Sequence, residues 1–154
     1  MADLPHTDAE DYSFGKEQRL CSRALVSELF SEGKSVSSFP VRVVYHLYPL
    51  DRLTGTQVLF SVPKKRFKRA VKRNRVKRQF RDMYRHTGKS ITDALCGSAG
   101  LTVAFIFCDE RLWTSDLLMQ HFVRAEQKLL ERLIVELPSF TQSATQGIAH
   151  NSDK

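Results

Sequence analysis

The residues of this sequence with the clearest chemistry are the twelve Lys and Arg side chains between Lys64 and Arg85. One acidic residue, Asp82, lies among them, so this segment carries a net charge of +11, whereas the other 132 residues carry −4. Cationic groups at this density bind polyanions, because each neutralised phosphate releases condensed counterions. A solvated helix face or a localisation signal is the alternative, but a solvated face normally mixes both signs of charge. The segment therefore indicates a polyanion-binding site.

The order of residues in this segment is typical of a helix with two different faces. On a helical wheel, Val76, Phe80, Met83 and Tyr84 fall within an arc of about 100°, enough to dock the helix on a sheet, and most basic side chains fall opposite. Asn74 lies in the middle of the basic arc. Its amide could bind a base edge, a 2′-hydroxyl or a hydrated metal ion, with an unpartnered surface residue as the equal alternative.

Two residues break this division into faces. Arg73 falls near the apolar edge, and Val71 lies on the basic side. The basic residues on the shared face repel one another, at a cost of roughly 0.2–0.5 kcal/mol for each pair three or four residues apart. A bound phosphate backbone would relieve this repulsion, and the planar Arg guanidinium can bind phosphate through two parallel hydrogen bonds.

Chemistry performed by protein side chains finds little support in the sequence. The five His residues are scattered, and none pairs by spacing with a carboxylate or a Cys in a metal-binding pattern. There is no Gly-rich phosphate loop. The three cysteines, Cys21, Cys96 and Cys108, are too widely spaced to indicate a zinc site or a disulfide scaffold. The sequence therefore predicts a binding protein with no catalytic and no metal-ligating residues, and a protein-only nuclease is the least favoured class.

The elements that must position the basic segment follow from hydrophobic periodicity and from helix and strand breakers. In chain order the sequence predicts a short helix capped by Ser22 and ended at Gly33, strands at 41–48 and 58–62, the basic helix, a loop at 86–100 with one short helical turn, a strand at 101–108 and a helix at about 115–136. This α-β-β-α-β-α order predicts an α+β fold, an α/β sandwich with one small sheet.

Length and composition favour one folded domain at residues 14–137, between a flexible acidic tail at 1–13 and a disordered polar tail at 138–154. No apolar stretch approaches the roughly 20 residues of a membrane-spanning helix. The N-terminal residues lack the basic start and apolar run of a secretory signal. A cytoplasmic protein without a membrane partner is therefore expected.

Three stretches of the sequence carry a resemblance to a known family. The triplet Arg73-Asn74-Arg75 continues into further basic residues as far as Arg81 and follows Ser-Val-Pro-Lys-Lys. Residues 14–20, FGKEQRL, combine an aromatic residue with an Arg-Leu pair, and residues 29–35, LFSEGKS, resemble a helix that ends in Phe-x-x-Gly-x-Ser. Over about residues 14–137 the chain resembles the bacterial ribonuclease P protein component family.

The resemblance implies a ribosomal-protein-like fold with the basic helix in a left-handed βαβ crossover. It implies a subunit of ribonuclease P that binds the catalytic RNA and assists removal of the 5′ leader of precursor tRNA. The RNA would perform the chemistry and hold most of the Mg²⁺, with no required protein partner. A general or ribosomal RNA-binding protein or chaperone is the alternative, and a DNA-binding module is a second.

The candidate RNA-binding residues are Lys64, Lys65, Lys68, Arg69, Lys72, Arg73, Asn74, Arg75, Lys77, Arg78, Arg81 and Arg85. The candidates for a cleft that holds the single-stranded leader are Phe14, Arg19, Phe30 and Tyr45, where an aromatic face could stack a base. For Phe30, core packing is an equal alternative. Tyr45 is expected at the surface, because Arg42 and Tyr45 alternate out of phase.

Overall fold

The computed structural model describes residues 18–95 and 97–152, which form one four-stranded sheet with helices on both faces. In chain order the elements are α1 (Arg23–Glu32), β1 (Lys34–Ser38), β2 (Val41–Tyr48), β3 (Thr56–Ser61), α2 (Ala70–Thr87), α3 (Lys89–Leu95), β4 (Gly100–Phe107) and α4 (Ser115–Ser152). The predicted α+β class with one small sheet is confirmed.

The sheet has the strand order β1-β2-β4-β3. Strands β1, β2 and β4 pair antiparallel, whereas β3 and β4 are parallel neighbours. A parallel pair requires a crossover connection, and here that connection contains α2 and α3. The basic helix therefore lies in a βαβ crossover, as the resemblance implies; the left hand of the crossover stays a prediction.

Alternation along the strands separates two hydrophobic cores. On β2, Val43 and Tyr45 face a large core that is shared with α2, α3 and α4. Val44 faces the other side, where it packs in a smaller core with Leu29 of α1 and Ala104 of β4. Helix α1 and the basic helix α2 therefore lie on opposite faces of the sheet.

The apolar face of α2 docks this helix on the large core. Its buried residues are those of the predicted arc: Val76, Phe80, Met83 and Tyr84. Phe80 is fully buried, and its ring lies 6.3 Å from that of Phe60, 6.2 Å from that of Phe107 and 5.7 Å from that of Phe122. This aromatic cluster, formed by four elements, fixes the orientation of the basic face.

Helix α1 begins and ends where the sequence predicts. Ser22 is its N-cap, and the Ser22 hydroxyl accepts a hydrogen bond from the Leu25 N–H at 3.4 Å. At its C-terminal end a Cβ on Gly33 would lie 2.3 Å from the Leu29 carbonyl oxygen and 2.9 Å from that of Tyr45. Gly33 therefore allows the chain to turn from α1 directly into the sheet.

The basic segment is not one continuous helix. Helix α2 begins at Ala70, and the preceding residues form an irregular segment, here called the basic loop (Lys64–Arg69). Phe67 of this loop is buried, with its ring stacked 5.8 Å from that of Phe107. Because burial of Phe67 draws the chain inward, the first basic residues cannot continue the helical path.

Three further elements differ from the prediction. Strand β1 is an additional edge strand, and α3 occupies much of the predicted loop at 86–100. Helix α4 continues through Pro138 to Ser152, where the sequence predicted a disordered tail from residue 138. The predicted acidic tail at 1–13 lies outside the described residues.

A buried carboxyl group joins α2 to α4. Glu126 is 4% exposed, and its Oε2 lies 2.7 Å from the hydroxyl of Thr87, which also lies 3.1 Å from the Met83 carbonyl oxygen. A hydroxyl has one proton, so Thr87 donates either to the Met83 carbonyl oxygen or to the Glu126 carboxyl group, and the bond to the carboxyl group favours its ionised form. Burial raises the pKa of Glu126 to about 7, although the Thr87 hydrogen bond opposes part of this shift.

We expect the Glu126→Gln variant to be more stable than the parent protein at pH 8. The native pKa of Glu126 lies above its unfolded value, so the carboxyl favours folding at low pH, and this stability falls as pH rises from about 4.5 to 7. The difference should reach at most about 3 kcal/mol above pH 8 and shrink below pH 5. Urea unfolding across pH 4.5–8.5 measures it, with exposed Glu131→Gln as the control. Parallel pH profiles for the parent and Glu126→Gln would contradict it.

Candidate RNA-binding surface

The solvent-facing side of α2 and the basic loop form a continuous cationic surface, here called the basic face. Its exposed members are Lys64, Lys65, Lys68, Arg69, Lys72, Asn74, Arg75, Arg78 and Arg85. Its half-buried members are Arg66, Arg73, Lys77 and Arg81. The predicted RNA-binding residues are therefore together on one side of the molecule, opposite the aromatic cluster that anchors α2.

The charges of the basic face are not neutralised by carboxylates from the described part of the chain. The ion pairs found there join Lys34 to Glu136, Arg52 to Glu28 and Arg111 to Asp109, all outside the basic face. Asp82 is the one acidic residue of α2, so the cations of the basic face greatly outnumber the carboxylates beside them and create a local positive potential that attracts phosphate. The basic face thus has the electrostatics of a polyanion-binding surface.

A shallow groove of about 480 Å³ runs along the centre of the basic face, with walls formed by Val71, Asn74, Lys77, Arg78 and Arg81. Val71 is 77% exposed and lies on the basic side, as predicted. Asn74 is exposed and lines the groove together with three basic residues, and its binding role stays a prediction. The groove combines cationic groups for phosphate with one amide that can both donate and accept hydrogen bonds.

Arg73 differs from its neighbours on the basic face. Its Nη1 donates to the carbonyl oxygens of Phe67 at 2.8 Å and of Lys68 at 2.9 Å. The predicted position near the apolar edge of the helix explains why the side chain can reach back along the basic loop. Two of the five N–H donors of Arg73 are therefore used inside the protein, which the family resemblance alone does not indicate.

Hydrogen bonds from Gln79 also hold the middle of α2. Gln79 Nε2 donates to the Trp113 carbonyl oxygen and to the Ser115 hydroxyl, both at 3.1 Å. These bonds tie the middle of α2 to the start of α4. Sequence reasoning missed Gln79, because an amide on a helix gives no signal of its distant partners.

The other face of the sheet carries a second candidate surface beside α1. Helix α1 covers Val44 and its neighbours and leaves the next cross-strand row partly uncovered, here called the open row (Ser37, Arg42, Ile106 and Ser61). Phe30 is 49% exposed, and by helical spacing it lies on the flank of α1 away from Glu28. Glu28 contacts Tyr48 at the other end of β2, so the flank of α1 that carries Phe30 is the one on the side of the open row.

The structure corrects the predicted environment of Tyr45. The side chain is 2% exposed and lies in the large core, and its hydroxyl donates to Glu136 of α4. Burial and this bond raise the pKa of Tyr45. Tyr45 therefore faces away from α1 and does not share a cleft with Phe30. Of the other two cleft candidates, Arg19 pairs with Val58 at the outer edge of β3 and Phe14 lies outside the described residues, so their role stays a prediction.

The two surfaces approach each other at one end of the sheet. The open row lies at the C-terminal ends of β3 and β4, where Ser61 pairs with Ile106. The basic loop leaves the same end of β3 three residues after Ser61. An extended polyanion could therefore pass from the open row to the basic face without leaving the protein surface.

One side-chain cluster has a composition suited to a metal ion. Glu28, Glu32 and His46 each place a ligand atom within 4.8 Å of the others. Both Glu28 oxygens are already engaged, because Arg52 and the Tyr48 hydroxyl each donate to them at 3.0 Å. These bonds hold the pKa of Glu28 below its usual value. Glu28 is therefore engaged in an ion pair with Arg52 and a hydrogen bond with Tyr48. The cluster could not be found from sequence spacing, because it combines residues of a helix and a strand.

Comparison with known proteins decides the family. The family described as Ribonuclease P matches residues 14–106, which include α1, the open row and the entire basic face. The chain belongs to the ribonuclease P protein family. It is 37% identical over 134 residues to the ribonuclease P protein component of Porphyromonas gingivalis strain W83, covering 86% of this chain and 95% of that protein. It is 33% identical over 101 residues to that of Chlorobium phaeobacteroides, covering 64% of this chain and 60% of that protein.

The fold agrees with the family. The structure of the Staphylococcus aureus ribonuclease P protein superimposes with a TM-score of 0.57 at 18% identity, covering 73% of this chain and 94% of that chain. Proteins of this family are subunits of the endoribonuclease that processes tRNA 5′ ends, and they work with the RNA of ribonuclease P. The resemblance and the RNA-binding class inferred from the sequence are therefore confirmed. No helix of residues 18–95 and 97–152 is long and apolar enough to cross a membrane.

Proposed function

We propose that this protein binds the catalytic RNA of ribonuclease P through its basic face and the 5′ leader of precursor tRNA through a cleft between α1 and the open row. The observation that carries the proposal is that the core holds the basic face in one orientation. Phe80 anchors α2 on the core, while the cations on its other side lack carboxylate partners within the described residues. Family membership supplies the RNA partner.

The basic face is better suited to contacts with the backbone of structured RNA than to contacts with base edges. Exposed Arg75 and Arg78 offer planar guanidinium groups for phosphate oxygens, and Asn74, which lines the same groove as Arg78, can reach a 2′-hydroxyl. The major groove of A-form RNA is too deep and narrow for side chains to read, so the contacts fall on the backbone and the shallow groove. This mode fixes the protein on a shape rather than on a sequence.

The cleft beside α1 suits a single strand. Phe30 offers a half-exposed ring for stacking, and Arg42 of the open row offers a cation for the adjacent phosphate. Bases in a single strand are free to stack on such a ring, whereas bases within a duplex are not. This difference supports the leader, rather than the folded tRNA body, as the ligand of this cleft.

The hydrolysis would be performed by the RNA, and magnesium ions bound to the RNA would supply activation of the attacking water and stabilisation of the leaving oxygen. Most side chains of the basic face are cationic, whereas Mg²⁺ requires oxygen ligands, so the protein is proposed to act mainly on the phosphates. The protein residues bind and orient phosphates of both RNAs. By neutralising part of the backbone charge, they reduce the amount of Mg²⁺ required to hold the RNAs together.

The deciding experiment is cleavage of precursor tRNA at low magnesium, with the catalytic RNA from the same genome in the presence and absence of this protein. Cleavage at the mature 5′ end that requires both components supports the proposal. Equal cleavage by the RNA in both conditions would favour a general RNA-binding protein or chaperone. Cleavage by the protein with no RNA partner would reveal a protein active site.

We expect Phe30→Ala to weaken binding of leader-bearing precursor tRNA to the holoenzyme by roughly 5- to 150-fold, which corresponds to the loss of one base–aromatic stack of about 1–3 kcal/mol. Because the ring is 49% exposed, the fold should be retained, which circular dichroism checks. Mature tRNA, which lacks the leader, is the matched control ligand, and its binding should not change. Equal losses for both ligands would place Phe30 outside the leader cleft.

A further inference from the structure

Two of the hydrogen bonds that hold the basic loop come from one arginine side chain, that of Arg73. The loop backbone contains a turn in which the Arg66 N–H donates to the Pro63 carbonyl oxygen at 3.0 Å, and Phe67 anchors the loop to the core. Beyond these, the carbonyl oxygens of Phe67 and Lys68 both accept hydrogen bonds from Arg73 Nη1, one turn into α2. Arg73 thus connects the loop to the helix.

We infer that Arg73 is a positioning residue for RNA binding, which acts by holding the basic loop in a fixed arrangement beside α2 rather than chiefly as a phosphate contact. This inference rests on the proposed binding of the catalytic RNA by the basic face. It changes the role of the first residue of the Arg-Asn-Arg triplet: Arg75 faces the ligand, and Arg73 shapes the surface that the ligand meets.

Charge explains why the loop requires this restraint. Lys64, Lys65 and Lys68 repel one another and the start of α2, so an unrestrained loop would move its cations apart and away from the helix. The Arg73 guanidinium is itself a cation, but its placement against two carbonyl oxygens stabilises it. Holding the loop before RNA arrives lowers the entropy cost of ordering it during binding.

The geometry favours arginine over lysine at this position. One planar Nη1 group directs two hydrogens at two successive carbonyl oxygens, at 2.8 and 2.9 Å. A lysine retains the charge but is shorter and has no planar fork to hold this arrangement. At exposed Arg75, a lysine would still provide a cation for phosphate. The same conservative substitution should therefore have different effects at the two positions.

The test compares Arg73→Lys with Arg75→Lys in binding to the catalytic RNA over a range of salt concentrations. Arg73→Lys should weaken binding on the order of tenfold, although the net charge is unchanged. It should also reduce the log–log salt slope by more than the roughly 0.7–0.9 that corresponds to one phosphate, because several loop cations lose their contacts. Arg75→Lys removes the planar fork at one phosphate and should weaken binding by less than about tenfold, but the slope should stay that of the parent, because the lysine cation still neutralises that phosphate. An unchanged slope for Arg73→Lys would overturn the inference. Global destabilisation would lower the folded fraction without changing the slope.

A double-mutant cycle gives the second readout. In a Lys64→Ala/Lys65→Ala/Lys68→Ala background, Arg73→Lys should have almost no further effect on affinity, because the loop cations that it positions are gone. An additive effect would make Arg73 an independent phosphate contact and contradict the inference. Failure of the parent protein to bind the RNA would instead refute the proposed function, so the two failures are distinguishable.

Discussion

Reversing two charges on the basic face, Arg75→Glu with Arg78→Glu, is expected to weaken binding of the ribonuclease P RNA by about 10²- to 10⁴-fold. Each exposed guanidinium can form a charge-assisted hydrogen bond with phosphate, and the loss of two such bonds at about 1.5–3 kcal/mol each gives this range. The log–log salt slope should fall by roughly 0.7–0.9 for each phosphate released. Filter binding or fluorescence anisotropy between 50 and 500 mM salt measures both quantities.

The matched control makes the same change of charge elsewhere. Arg124 and Arg132 are exposed on α4, outside the basic face, so Arg124→Glu with Arg132→Glu alters the net charge equally. This control should change the affinity by less than about tenfold, since charges beyond a Debye length of about 8–10 Å from the ligand are largely screened. Similar losses in both double variants would mean that net charge, rather than the basic face, controls binding.

The sequence predicted well those features that depend on local periodicity. The apolar arc of α2, from Val76 to Tyr84, required only the helical repeat, and the buried strand β4 required only its apolar run. The N-cap of α1 at Ser22 and its end at Gly33 followed from single-residue signals. The motifs that carry the family resemblance are local too, so the family and the basic face were both accessible from sequence.

Features that depend on contacts between distant residues could not be predicted from the sequence. Strand β1, KSVSS, contains one apolar residue, and only pairing with β2 makes it a strand. Tyr45 was expected at the surface, yet its partner Glu136 lies 91 residues away. Helix α4 continues past Pro138, although proline usually ends a helix. In each case the structure depends on residues or a chain path that the local sequence pattern does not contain.

The candidate site shows the same division. The exposed cations of α2 were predicted correctly as a group, but the separate role of Arg73 depends on the path of the basic loop, which bends because Phe67 is buried. In the composition, Arg73 is one more positive charge. In the folded protein, its side chain connects α2 to the basic loop. The basic face therefore depends on the core beneath it as well as on its own charges.

Replacing Phe80 by Ala is expected to reduce the free energy of unfolding by about 3–5 kcal/mol, because the ring is fully buried among three other aromatic rings and its removal leaves a cavity. Urea unfolding should show a lower midpoint with an unchanged slope. Val71→Ala, on the exposed side of the same helix, is the control and should change stability by less than about 0.5 kcal/mol.

The RNA partner should offset much of this loss. A ligand that binds only the folded protein stabilises it by about 2.7 kcal/mol at one hundred times its dissociation constant. Phe80→Ala should therefore unfold at a lower temperature when free, yet regain most of its binding and activity at saturating RNA. Stability close to that of the parent would show that α2 is anchored elsewhere. Inactivity at saturating RNA, despite a folded variant, would show that the aromatic cluster sets the orientation of the basic face as well as its stability.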